Sequence, residues 1–261
     1  MVDNLSAGVK PWVIATASNK GGASKSAFCY ALANAIVSAG GTVGIVCADD
    51  GKTNSPIVDW ALPTGKIPAV RALQESEYLA SLNKIKAHGV QVVLVDNGPR
   101  ESALMRRTLD NADCVLLPWL AAGEDTQRAV QMHNFLQELN DQRRNPWVLC
   151  AGQSKRPAGA VENTILGKQM ENALRDGGIA VLPGLLENKL LGLWTLPVNM
   201  PKVMAWEHDN GEAQAEYNLW PSSKTMPNFY ANAASILSLA VQAGWDDGGL
   251  VARLEAKRDG R

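Results

Sequence analysis

Short apolar runs rich in β-branched residues alternate along this chain with longer stretches of helical period, and that alternation constrains the fold more than any other feature. The runs are Trp12 to Ala17, Thr42 to Cys47, Val90 to Asp96, Cys114 to Pro118, Trp147 to Ala151 and Ile179 to Pro183. Most are apolar throughout, as suits strands covered on both faces. Between them lie Ser26 to Ser38, Glu77 to His88, Glu101 to Asn111, Glu124 to Arg143 and Val161 to Asp176, with apolar residues every three or four positions. Gly40 and Gly41, Gly89, and Gly177 and Gly178 stand where helix C-termini call for left-handed residues. The pattern predicts an α/β fold: a doubly wound, mostly parallel sheet with helices on both faces. Its ligand crevice would lie beyond the carboxyl ends of the strands.

The 261 residues, 46% hydrophobic and 20% charged, suffice for one large core and exclude wholesale disorder or a disulfide-rich miniprotein. A single domain over 1–261 is expected, with an irregular excursion at about 197–227, a final helix from Asn228 to Ala243 and a short one from Leu250 to Lys257. The net charge of -1 argues against a constitutive electrostatic nucleic-acid binder but leaves room for a local basic patch. Cys29, Cys47, Cys114 and Cys150 are far apart with no CxxC pair, and read as small buried hydrophobes in a reducing compartment. The start has no signal-peptide core, and no apolar run reaches the roughly 18 to 20 residues of a membrane span, so a cytoplasmic protein is expected.

The first strand runs into Ser18-Asn19-Lys20-Gly21-Gly22-Ala23-Ser24-Lys25-Ser26, and a helix follows at once. Small residues let backbone N–H groups approach phosphates, and the helix N-terminus favours negative charge. Lys25 would reach the β and γ phosphates of a nucleoside triphosphate, and the Ser26 hydroxyl would bind Mg²⁺. The general P-loop pattern has Gly at both ends of the loop, where this chain has Asn19 and Ser24.

Counting Lys20 improves the match. The string KGGASKS resembles the deviant Walker A signature KGGxGK[ST] of the ParA/MinD superfamily of P-loop ATPases. Cys47-Ala48-Asp49 followed by Ser55 to Trp60 resembles that family's acidic DxD turn and the helix that often carries DW. Val92 to Pro99 looks like the Walker B strand and switch turn, Ala112 to Pro118 like the fourth strand, and Leu182-Pro183 like the segment that closes over the base. The few residues before the first strand leave no room for an N-terminal helix-turn-helix, which makes the chain look like the short ParF-like or conjugation-associated VirC1-like type.

The resemblance implies an ATP- and Mg²⁺-dependent ATPase that sandwiches nucleotide in a homodimer. It also implies non-specific DNA binding and a ParB-like or other cargo-adaptor partner, in plasmid partition, stabilisation or conjugative transfer. Carried over, Lys20 acts in trans and Lys25 in cis, and Lys20, Gly21, Gly22, Ala23, Ser24, Lys25, Ser26 and Ala27 line the nucleotide. Ser26 and Asp96 hold the metal, and Asp49 orients the attacking water, with Asp50 as the alternative because the loop to Trp60 is long. On the residues alone, Lys20 also reads as a solvated surface lysine, and Ser26 and Asp96 as helix caps.

Two positions depart from the family pattern. Ser24 replaces a Gly whose φ would be positive, at a cost on the order of 1 kcal/mol. Cys47 replaces the first acid of DxD. A nucleotide-binding scaffold with weak or no hydrolysis therefore stands beside the ATPase reading. A dethiobiotin-synthetase-like P-loop ligase is a further alternative, disfavoured by Lys20 and the Asp59-Trp60 turn. An iron protein of the nitrogenase kind does not fit, since Cys114 and Cys150 lie within apolar strands. Basic residues at Arg143-Arg144, Lys155-Arg156, Lys168, Arg175, Arg253, Lys257, Arg258 and Arg261 are candidates for DNA contact or for a solvated face.

Overall fold

The apolar runs assemble into one sheet. The computed structural model describes residues 10–18, 25–49, 55–99, 101–120, 123–144, 147–155, 172, 180–182 and 226–260. In chain order these form β1 (Trp12–Thr16), α1 (Lys25–Ser38), β2 (Val43–Ala48), α2 (Pro56–Ala61), β3 (Ala69–Arg71), α3 (Glu75–Lys86), β4 (Val92–Asn97) and α4 (Ala103–Asp110). There follow β5 (Cys114–Leu120), α5 (Gly123–Asp141), β6 (Val148–Lys155), β7 (Ala180–Leu182), α6 (Met226–Gln242) and α7 (Leu250–Arg258). The seven strands are all parallel, in the order β3-β2-β4-β1-β5-β6-β7.

Two apolar layers explain why the central strands carry no polar face. On one side, Ile14, Ile45, Leu94 and Leu116 pack with α1, α2, α6 and α7 through Phe28, Ile36, Trp60, Phe229 and Leu250. On the other, Val13, Val46, Val93 and Val115 meet α3, α4 and α5 through Tyr78, Leu82, Met105 and Leu136. Helix α1 is buried on nearly every side, and its alanines at 27, 31, 33 and 35 let neighbours approach closely. Trp60 is 1% exposed, with Tyr30 edge-on at 4.6 Å, so the tryptophan of the Asp59-Trp60 pair is a core anchor.

Among the described residues the expected elements appear, with four differences. β3 was not foreseen, because three half-buried residues at a sheet edge carry no readable period. β5 and β6 run two and four residues further than their apolar runs, with Gly152 and Gln153 paired to Pro118 and Trp119. Gly40 and Gly89 adopt the left-handed conformation expected of them, but Gly41 does not. A Cβ at Gly41 would lie 2.9 Å from both Ile36 and Leu250, so that position serves close packing. The helix expected at 161–176, the excursion at about 197–227, and Gly177 and Gly178 lie outside the described residues. Cys29, Cys47 and Cys114 are buried and in no disulfide among the described residues. Among the described residues no helix is long and apolar enough to cross a membrane.

Candidate functional site

At the carboxyl ends of β1, β4 and β2 the apolar pattern stops and polar groups converge. β1 and β4 pair from Trp12–Val92 to Ala15–Val95, and β2 pairs with β4 on its other side. The chain leaves β1 toward the phosphate-loop sequence and re-enters as α1, whose first residue, Lys25, is only 7% exposed. Its Nζ lies 3.5 Å from the Ser18 carbonyl. The next residue, Ser26, donates from Oγ to Oδ2 of Asp96 at 2.6 Å. Asp96 ends the apolar part of β4 and is 5% exposed. The contact ties the start of α1 to the end of β4. Ala27 is buried beside them, whereas Lys20, Gly21, Gly22, Ala23 and Ser24 lie outside the described residues.

Cys47 is the cross-strand neighbour of Asp96 on β2. Burial, followed by the Asp96 carboxylate, pushes its thiol up to about 12, while a hydrogen bond with Ser55 opposes the shift. It is a neutral group across the physiological range. Cys29 sits one turn along α1 from Ser26, and burial, then Asp96 and Cys47, raise its thiol well above the usual value while Lys25 opposes them. The position next to Asp96 thus carries no second charge.

Asp49, just past β2, is half-buried against the turn that follows β4. The Gly98 N–H donates to the Ala48 carbonyl at 2.9 Å. A Cβ on Gly98 would stand 2.6 Å from Asp49 Oδ1, so the approach of this carboxylate to the turn depends on residue 98 having no side chain. Asp50 lies outside the described residues.

Several site-adjacent residues were not singled out in the sequence. Thr16, Asn97 and Thr108 form a buried hydrogen-bonded group at the junction of β1, β4 and α4. Asn97 stands within the Walker B-like string, but nothing local to it announces its partners. Arg71, at the end of β3, pairs with Asp59 of α2. The basic residues proposed for DNA prove partly committed elsewhere. Arg143 stacks over Trp147 at 4.3 Å and donates to the Asp110 carbonyl, Arg253 donates to the carbonyls of Ala39 and Gly248, and Arg258 pairs with Asp259.

A parallel, doubly wound sheet in which a serine of the buried first helix donates to the neighbouring strand's carboxylate is the fold class expected from the sequence. No protein-family model and no curated protein sequence matches the chain. Solved structures do. The MinC:MinD cell division protein complex of Aquifex aeolicus matches with a TM-score of 0.60 at 11% identity, over 88% of this chain and 96% of that one. The apo McdA of Cyanothece gives 0.57 at 13% identity, over 87% and 100%. Cobyrinic acid a,c-diamide synthase from Mycobacterium smegmatis, with bound ADP and magnesium, gives 0.52 at 17% identity, over 69% and 88%. At these identities the likeness establishes the fold, shared with ParA/MinD-type P-loop proteins and with a synthase.

Proposed function

We propose that the chain is a ParA/MinD-type ATPase that binds ATP with Mg²⁺ between the β1–α1 loop and the end of β4. The observation that carries this reading is the Ser26–Asp96 contact at 2.6 Å, with Lys25 buried beside the loop. Burying an ammonium and a carboxylate at one strand end is costly, and a ligand that uses both offsets that cost. The donor set fits Mg²⁺: a hydroxyl and a carboxylate are hard oxygen donors, and this ion commonly takes one or two protein carboxylates and completes its shell with phosphate and water. Ser26 and Asp96 would hold it, and when bound it offsets charge on the phosphoryl oxygens. Lys25 would bind the β and γ phosphates, Gly21 to Ala27 would line them, and Lys20 would reach the nucleotide of a second subunit. Asp49, resting on Gly98, would orient water.

Cargo handling follows from the same reading. ATP-dependent dimers would engage DNA non-specifically and a ParB-like or other adaptor, in plasmid partition, stabilisation or conjugative transfer, within the cytoplasm. The likeness in fold to MinD and McdA supports a ParA/MinD-type reading, and the sequence features at Lys20 and Asp59-Trp60 favour it over a ligase of the synthase kind. A scaffold with slow hydrolysis is the second reading, favoured by the neutral, buried Cys47 where the family carries an acid. Light scattering of the wild-type chain and Lys20→Ala, each with ATP and Mg²⁺, tests the sandwich: a wild-type dimer lost in the variant is expected, and a dimer in both contradicts a trans lysine. Phosphate release from the same samples separates ATPase from scaffold.

A further inference from the structure

We infer that Thr16, Asn97 and Thr108 form a positioning clamp that sets the distance between the end of β1 and Asp96, and so the affinity of the site for Mg²⁺. The inference rests on the nucleotide reading above and assigns that site a supporting shell. The Thr16 hydroxyl donates to the Val95 carbonyl at 3.2 Å and accepts from the Asn97 N–H at 3.2 Å. One hydroxyl therefore grips the residues on either side of Asp96. The Asn97 amide donates from Nδ2 to the Thr16 carbonyl at 2.8 Å, and its Oδ1 lies 2.8 Å from Thr108 Oγ1, whose single proton is shared between Asn97 and the Met105 carbonyl at 2.7 Å. All three residues are buried, at 1%, 3% and 0% exposed.

Where this group lies decides what it does. Thr16 is the last residue of β1, two before Ser18, whose carbonyl faces Lys25. Asp96 and Asn97 are consecutive, so their side chains leave opposite faces of the sheet. Asp96 meets Ser26 of α1, and Asn97 meets Thr108 of α4. Beyond Ala15–Val95 the backbone register of β1 with β4 ends, and the Thr16–Asn97 bonds continue it with side chains. With them the ends of β1 and β4 are joined directly at this level, beside the Ser26–Asp96 contact. A hydroxyl–carboxylate pair used by an ion must hold its spacing to a fraction of an ångström, because Mg²⁺ demands near-octahedral geometry at short bond lengths. Thr108 extends the clamp to α4, so the helix after the switch turn is fixed to the same point.

The test uses the full chain and a fluorescent ATP analogue, titrated with and without Mg²⁺. Thr16→Val keeps the shape and removes the hydroxyl. The expected result is a rise of about tenfold in the Mg²⁺ concentration giving half-maximal nucleotide binding, as outer-shell losses typically cost ten to a hundredfold in metal affinity. Affinity in the presence of a chelator should be unchanged, and Thr16→Ser should restore the wild-type value to within about twofold. Thr108→Val, within α4 and away from the nucleotide, should shift the Mg²⁺ midpoint in the same direction, and it carries the test if Thr16→Val does not fold. Unshifted Mg²⁺ midpoints in folded variants, with wild-type binding intact, overturn the clamp alone. Failure of the wild-type chain to bind the analogue at all overturns the nucleotide reading and the clamp with it.

Discussion

The two ends of the central strands handle polar groups in opposite ways. At the amino ends, Asp113 accepts from the Val13 N–H at 3.0 Å and from Lys10 Nζ at 2.8 Å. Thr42 and Gln91 exchange bonds between side chain and backbone at 3.0 and 3.1 Å. These groups are at least partly open to solvent, with the Lys10 side chain 75% and the Asp113 side chain 18% exposed, and each ties one strand start to a neighbour. At the carboxyl ends, Lys25 and Asp96 are 7% and 5% exposed, and the neighbouring position on β2 is a neutral thiol. The amino end is a set of wet structural pins. The carboxyl end holds charge where desolvation is expensive, which a fold does not need for its own stability and which a charged ligand exploits.

That contrast is breakable by mutation. Lys25→Ala should lower MgATP affinity by at least about 100-fold, some 2.8 kcal/mol, with little change in unfolding free energy. Calorimetric titration alongside urea unfolding would detect the reverse pattern, stability lost and affinity kept, which would make Lys25 a structural residue. Cys47→Asp sets a second carboxylate beside Asp96, and without metal it should destabilise the fold by about 2 kcal/mol. Added Mg²⁺ should recover more melting temperature than in the wild type; equal recovery would mean that position 47 lies outside the metal's reach.

Asp113→Ala at the opposite end should cost about 1 to 2 kcal/mol of stability, from the unsatisfied Val13 N–H more than from the solvent-screened Lys10 pair. Nucleotide affinity should not move, and a large fall in affinity would erase the distinction between the two ends. The smallest effect expected is at His133, buried on α5 with its Nε2 unpartnered among the described residues. Burial lowers its value from 6.5, against a weaker opposing bond to Asn134. The unfolded chain therefore binds this proton more readily than the folded one, and the contribution of His133 to stability is lost as pH falls below the ordinary imidazole value. His133→Gln should flatten that loss between about pH 7.5 and about pH 5.5, read from urea midpoints.

How far each feature was legible depends on whether its cause is local. Strands buried on both faces announce themselves as unbroken apolar runs, and Lys25, Ser26 and Asp96 are visible as polar groups at the ends of such runs. β3 has only three residues, and its partner is chosen by the space beside β2. Thr16, Asn97 and Thr108 are brought together by three elements, with Thr16 and Asn97 81 positions apart, so no window of sequence contains the clamp. Cys47 is readable as a departure from a pattern, but its neutrality follows from burial beside Asp96, which only the folded chain supplies. Gly98 is likewise silent in sequence, because what it accommodates is Asp49 across the strand ends.

The most direct measurement is calorimetric titration of ATP into the wild-type chain and Asp96→Asn, each with Mg²⁺ and with chelator. Saturable binding at one nucleotide per chain, tightened by Mg²⁺ in the wild type and not in Asp96→Asn, is the predicted result. No binding by the wild type, or the same Mg²⁺ dependence in both proteins, would contradict a nucleotide and metal site at the carboxyl ends of β1 and β4.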